Sequence, residues 1–236
     1  MKLPALKRFG QNFLHDKNIL QKIVSGAQLV PSDTVLEIGM GDGALTEELA
    51  VRVKKLVTIE IDKKRFAEVA PVIQAKYPNV ECVLGDYLKL SPELWPRLPQ
   101  DTKVVANIPY NITVPIIETI IENRQKIELV VLMVQKEVAE RLQGSPETGS
   151  FGSLSLFCQF YLNVEVLAKV SRNCFTPVPS VDSAVIRLTP LKKPRVAVRS
   201  EELLFKLIKA AFWGKRKMLR KCLRHSHYVQ YSSLET

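Results

Sequence analysis

The feature that most restricts the fold of this chain is the regular alternation of short apolar, β-branched runs with helix-patterned segments. "TVLEIG" (Thr34 to Gly39), "KLVTIEID" (Lys55 to Asp62), "VECVLGD" (Val80 to Asp86), "KVVAN" (Lys103 to Asn107) and "ELVVLMV" (Glu128 to Val134) each read as a strand. Runs this apolar suit strands covered on both faces, as in a parallel sheet between helices. Residues from about Ala44 to Val53, "KKRFAEVAPVIQAKY" and "VPIIETIIEN" read as helices between them, with Pro71 a break point in the second. Strand and helix in series give right-handed crossovers and a doubly covered parallel sheet. The pattern then changes. "NVEVLAKV" (Asn163 to Val170) and "SAVIRLTP" (Ser183 to Pro190) are joined by a Pro-rich stretch, "FTPVPSVD", with no long helix between them. An antiparallel pair at the sheet edge is expected there.

Each of the first four strands ends in residues suited to ligand binding. The first runs into "EIGMGDG", which puts Gly39, Gly41 and Gly43 at a strand-to-helix turn where a ligand can approach bare backbone. The spacing is GxGxG rather than the GxGxxG of dinucleotide folds. The second ends in "IEID", with Glu60 at 21 residues beyond Gly39, suited to accepting hydrogen bonds from two ribose hydroxyls. The third ends in "LGDY", where Asp86 can accept from an adenine amino group or cap the following helix. Together these features point to a nucleoside cofactor, either NAD or S-adenosylmethionine, at the carboxyl edge of the sheet. Nothing in the chain reads as a hydride-transfer site, which disfavours NAD.

The fourth strand ends in "NIPY". An adenine exocyclic amine is a weak nucleophile because its lone pair is delocalised into the ring. Two acceptors, the Asn107 side-chain oxygen and the Ile108 carbonyl, could draw its hydrogens out of plane and localise that pair. Pro109 lacks an N–H and stiffens the turn, and Tyr110 can stack on the base. Methyl transfer from a sulfonium needs in-line positioning rather than a general base, so a site with no acid, histidine or cysteine beside it suffices.

Charge and composition narrow the partner. Lys plus Arg outnumber Asp plus Glu by 34 to 24, and the sequence pI is about 9.5, which favours a polyanion such as nucleic acid. The most basic stretch, "WGKRKMLRKCLRH", follows a linker, "PLKKPRVAVRS", and reads with "EELLFKLIKAAF" as two helices broken near Gly214. Lys217, Arg220, Lys221 and Arg224 are predicted to share one helix face suited to phosphate contact. Cys82, Cys158, Cys174 and Cys222 show neither zinc spacing nor a disulfide framework, so reduced thiols, no metal site and a cytosolic setting are expected. No apolar run has the length of a bilayer span.

"NIPY" together with "EIGMGDG", "RFGQNFLHD", "QKEVAERL" and "FTPVPSVDSAVIRL" resembles the KsgA-type family of small-subunit ribosomal RNA adenine N6,N6-dimethyltransferases, in order from about Lys7 to Leu223. The resemblance implies a Rossmann-like class I methyltransferase fold, with a mostly parallel seven-stranded sheet and an antiparallel edge strand. It implies a catalytic domain over 1–190, a linker over 191–199 and a small basic helical domain over 200–236, shortened relative to the family. S-adenosylmethionine would be held by Gln11, Asn12, Leu14, Gly39, Gly41, Glu60, Ile61, Asp86, Tyr87 and Asn107. The target adenine, flipped from its stack, would lie between Tyr110 and Phe175, beside Asn107, Ile108 and Pro109. Lys215, Arg216, Lys217, Arg220, Lys221 and Arg224 would face RNA. The implied activity is dimethylation of two adjacent adenosines near the 3′ end of small-subunit ribosomal RNA, by a cytoplasmic monomer acting on a pre-ribosomal particle. Three alternatives stand beside it: a large-subunit RNA methyltransferase conferring macrolide resistance, a DNA adenine methyltransferase, and a non-catalytic nucleic-acid-binding relative.

Overall fold

The computed structural model describes residues 12–214 and 217–228. A two-residue strand, β1 (Phe13–Leu14), leads into α1 (Lys17–Gly26), whose first amides are capped by the Asp16 carboxylate. Alternating elements follow: β2 (Thr34–Ile38), α2 (Ala44–Ala50), β3 (Lys55–Glu60), α3 (Lys63–Lys76), β4 (Val80–Leu84), α4 (Tyr87–Arg97), β5 (Thr102–Asn107), α5 (Thr113–Glu122) and β6 (Ile127–Gln135). The chain continues through α6 (Lys136–Gln143), α7 (Ser153–Tyr161), β7 (Leu162–Val170), β8 (Phe175–Thr176) and β9 (Ser183–Pro190), and ends in α8 (Glu201–Phe212) and α9 (Leu219–His225).

Seven strands form one sheet in the order β4-β3-β2-β5-β6-β9-β7. The first five are parallel, and β9 runs antiparallel to both β6 and β7. The antiparallel pair therefore closes the edge as expected, with β9 one place in and β7 outermost. The sheet turns back on itself between β2 and β5, and at such a switch point the crossovers leave a crevice beyond the strand ends.

The two faces explain the unbroken apolar runs. Val104 and Ala106 of β5 belong to a core with Leu36, Ile38, Leu132, Ile117 and Trp95, whereas Val105 joins Val35, Val131, Leu49 and Ile23 on the other face. Helix α3 passes straight through Pro71 rather than breaking. Pro71 and Ala67, four residues before it, are exposed, so water can take the carbonyl that the proline leaves unpaired. Helix α4 carries Pro92 and Pro96, which hid it from a reading by pattern. Helix α8 docks on α7 through Phe205, whose ring lies 4.9 Å from Phe157 and 5.4 Å from Phe160, while the Tyr161 hydroxyl donates to Glu201 at 2.5 Å. Among the described residues, no helix is long and apolar enough to cross a membrane.

Candidate active site

A cavity of about 590 Å³ opens at the carboxyl ends of β2, β3, β4 and β5. Gly39 and Gly41 form its floor with φ of +89° and +57°, backbone that side-chain-bearing residues rarely adopt. A methyl group built on Gly39 would lie 3.8 Å from the Asn107 carbonyl, so the glycine turn and the end of β5 adjoin.

Glu60 ends β3 inside the cavity wall and is 3% exposed. Its carboxylate accepts from the Gly41 amide at 2.9 Å and the Asp62 amide at 2.8 Å. Burial raises its pKa, and these two amides hold it back. A carboxylate has about four acceptor positions, so these amides do not exhaust its capacity to accept from a ligand. Asp62, not Glu60, caps α3. Asp86 caps α4, accepting from Leu88 at 3.0 Å, and also lines the cavity. Ile61 and Tyr87 also line the cavity, the Tyr87 hydroxyl accepting from the Trp95 indole at 3.2 Å.

Asn107, Ile108, Pro109 and Tyr110 line the opposite wall. The Asn107 amide nitrogen donates to the Asn12 carbonyl at 3.2 Å. A carbonyl only accepts, so this bond fixes which end of the amide is nitrogen. The amide oxygen is left for a ligand donor. The half-buried Tyr110 ring is steered by a 2.6 Å hydrogen bond between its hydroxyl and that of Ser183, which is fully buried on β9. Burial raises the Tyr110 pKa, so the phenol stays neutral at ordinary pH.

β1 forms part of the lining of this cavity. Asn12, Phe13, Leu14 and His15 line it. Gln11 lies outside the described residues. β1 pairs with β8, Phe13 opposite Thr176 and Leu14 opposite Phe175. The structure places Phe175 beside the lining rather than in it. Its ring is 1% exposed, packed in the same core as Leu14 and Ile23, and absent from the cavity lining, whereas the next two residues, Thr176 and Pro177, do line it.

The basic segment is partly as expected. Arg220, Lys221 and Arg224 are exposed on α9, at spacings that share a face. Lys217 precedes that helix and lies over the Trp213 ring at 4.7 Å, so the shared face is one residue smaller than expected. Lys215 and Arg216 lie outside the described residues.

Reading by pattern missed Phe13, His15, Lys17 and Asp42 in the lining, and two buried groups behind it. Glu37 is fully buried on β2, its Oε2 accepting from Thr46 and Thr58 at 2.7 Å each, and burial pushes its carboxyl pKa up to about 8. Arg65 is 1% exposed on α3. The spacing of Glu37 two residues before Gly39 was a usable signal; Arg65 had none.

A family model described as "Ribosomal RNA adenine dimethylase" matches residues 4–234. The chain belongs to the ribosomal RNA adenine dimethylase family. It is 40% identical over 221 residues to the "Ribosomal RNA small subunit methyltransferase A" of Clostridium botulinum strain Loch Maree, covering 92% of this chain and 79% of that one. A solved dimethyladenosine transferase from Plasmodium falciparum superposes with a TM-score of 0.78 at 33% identity, over 92% of this chain and 76% of that one. The solved 23S rRNA methyltransferase ErmE gives 0.73 at 30% identity, over 94% and 88%.

Proposed function

We propose that this chain dimethylates N6 of two adjacent adenosines in the 3′-terminal region of small-subunit ribosomal RNA, using S-adenosylmethionine. The observation that carries the proposal is the end of β5. There the Asn107 amide is turned by Asn12 so that its oxygen is left for an amine donor, in one cavity with the glycine turn, Glu60 and Asp86. The small-subunit target is favoured over the large-subunit one by the relatives. The enzymes named for the small subunit match at 39–42% identity, against 30% for the 23S enzyme.

The cavity residues fit the donor. Gly39 and Gly41 offer backbone without a side chain, Glu60 keeps acceptor capacity for ribose hydroxyls, Asp86 can accept from an adenine amine, and Ile61, Tyr87 and Leu14 give apolar walls. S-adenosylmethionine supplies a methyl group on a sulfonium that leaves as a neutral thioether. The Asn107 oxygen and the Ile108 carbonyl hold the target amine with its lone pair toward the methyl. With the amine held by Asn107 and Ile108, the proton released on methylation would pass to water, so no side chain of the site would need to act as base. Tyr110 stacks on the flipped adenine. Phe175 could complete a sandwich only if β1 and β8 rearranged, so the second wall is assigned to Thr176 and Pro177. Arg220, Lys221 and Arg224, with Lys215, Arg216 and Lys217 before them, bind RNA phosphates from the C-terminal segment that begins at residue 200. The proposal extends to a cytoplasmic monomer acting on a pre-ribosomal particle.

The test is methyl transfer from labelled S-adenosylmethionine to unmethylated small subunits and, separately, to large-subunit RNA, with Asn107→Ala as control. Label in dimethyladenine on small subunits, lost in the variant, is expected. Label on large-subunit RNA alone overturns the target, and label on neither overturns the catalytic reading.

A further inference from the structure

Arg65 sits behind the cavity rather than in it, yet it touches two residues that form the cavity. Its guanidinium carbon stands 4.1 Å from the centre of the Phe13 ring, and it is ion-paired and hydrogen-bonded to Asp42 in the glycine turn. The Phe13 ring also lies on the turn itself, since a methyl group built on Gly41 would meet it at 3.6 Å. Phe13 is thus held between Gly41 and Arg65. An arginine this buried loses most of its hydration, and such a site persists where a carboxylate and a π-face replace the lost water. Burial lowers its pKa, yet an arginine stays charged.

What Phe13 anchors is short and does a great deal. The residue before it, Asn12, accepts from Asn107. The residues opposite it and its neighbour, Thr176 and Phe175, belong to β8, and the His15 amide donates to the Cys174 carbonyl at 3.1 Å. A two-residue strand with so few ladder bonds has little stability of its own. Side-chain anchoring must supply the rest.

We infer that Arg65 is a positioning residue: gripping Phe13 and Asp42, it latches β1 into the lining of the donor cavity and so holds the Asn12 carbonyl against the Asn107 amide. The latch explains why a charged side chain is buried on α3 beneath the turn. It rests on the proposed donor reading for its effect on binding, but not for its effect on β1.

Arg65→Met keeps an apolar stem and removes charge and plane, and Phe13→Leu keeps apolar bulk and removes the π-face. Each variant is expected to bind S-adenosylhomocysteine about tenfold more weakly, the scale of one desolvated cation–π contact. The double variant is expected to be no weaker than either single one, because both break the same contact. Each is also expected to speed hydrogen exchange at the His15 amide while exchange in β5 and β6 is unchanged. A merely structural arginine would instead lower protection throughout the sheet and leave the affinity of the folded fraction intact. Unchanged His15 exchange in both variants overturns the latch, as do additive losses of affinity. If the unaltered chain binds no donor, the functional reading fails, and His15 exchange alone decides the latch.

Discussion

The two walls of the cavity are built differently. On the donor wall, each residue proposed to bind stands where its own strand ends: Gly39 and Gly41 after β2, Glu60 on β3, Asp86 after β4. Each is held by bonds to nearby backbone, as Glu60 is by the amides of Gly41 and Asp62. The acceptor wall has one strand-end motif, Asn107 to Tyr110, and borrows everything else. Asn107 is steered from residue 12, Tyr110 from residue 183, and the facing loop comes from 176–177. The donor wall is a consequence of the sheet. The acceptor wall depends on long-range side-chain contacts, and damage to it should change rate more than binding.

The sharpest test of that division pairs Asn107→Ala with Glu60→Gln. Asn107→Ala removes an acceptor made for the reacting amine and is expected to cut methyl transfer by about 10²–10³-fold, the scale seen when one preorganised polar group is lost from a reacting centre. Donor affinity, measured by calorimetry, should change only a few-fold. Glu60→Gln is expected to do the reverse. Losing charge-assisted hydrogen bonds to the ribose should weaken donor binding by about 10–100-fold, with the rate at saturating donor changed much less. Equal effects of both variants on rate and on binding would break the comparison.

Glu37 offers a smaller test beneath the donor wall, read in stability rather than activity. Its carboxyl, at about 8 in the folded chain against 4.5 for an ordinary glutamate, binds its proton more tightly when folded. That contribution to stability is full below about pH 4.5 and is lost as pH rises toward 8. Glu37→Gln, which keeps an acceptor for Thr46 and Thr58, removes the titration. Stability of the variant relative to the unaltered chain should therefore rise across this window, at up to about 1.4 kcal/mol per pH unit. Urea midpoints collected at several pH values would show it, and parallel pH profiles would place the charge of Glu37 elsewhere than the buried sheet.

The same division explains what was legible in the sequence. The sheet and the donor wall could be read because local pattern encodes them: apolar runs give strands, and the residue where a run stops is the residue at the sheet edge. Helices α3 and α4 were blurred by proline, whose cost in α3 is met by solvent exposure of the affected turn. The burial of Phe175 was hidden for the opposite reason. Its motif marks a loop beside the cavity, but which side chain of that loop faces inward is set by pairing with β1, more than 150 residues earlier in the chain. Arg65 and Ser183 were silent because a buried partner of a site residue carries no spacing of its own.

Ser183 tests the acceptor wall most gently. Its hydroxyl, buried on β9, makes the 2.6 Å contact with the Tyr110 phenol, and Ser183 is not itself in the cavity lining. Ser183→Ala leaves the β9 backbone and its pairing with β6 and β7 untouched, and removes one oxygen. The phenol then loses a partner in a half-buried place, which costs about 1 kcal/mol, and the ring gains freedom to rotate away from the base. The expected result is a fall in methyl-transfer rate of about three- to tenfold, with unchanged donor affinity and a small loss of stability. Tyr110→Phe keeps the stacking face but loses the same bond, so it should match Ser183→Ala, and the double variant should be no slower than either. A rate unaltered in both variants would show that packing alone steers the ring, which would make the acceptor wall less dependent on distant side chains than its hydrogen bonds indicate.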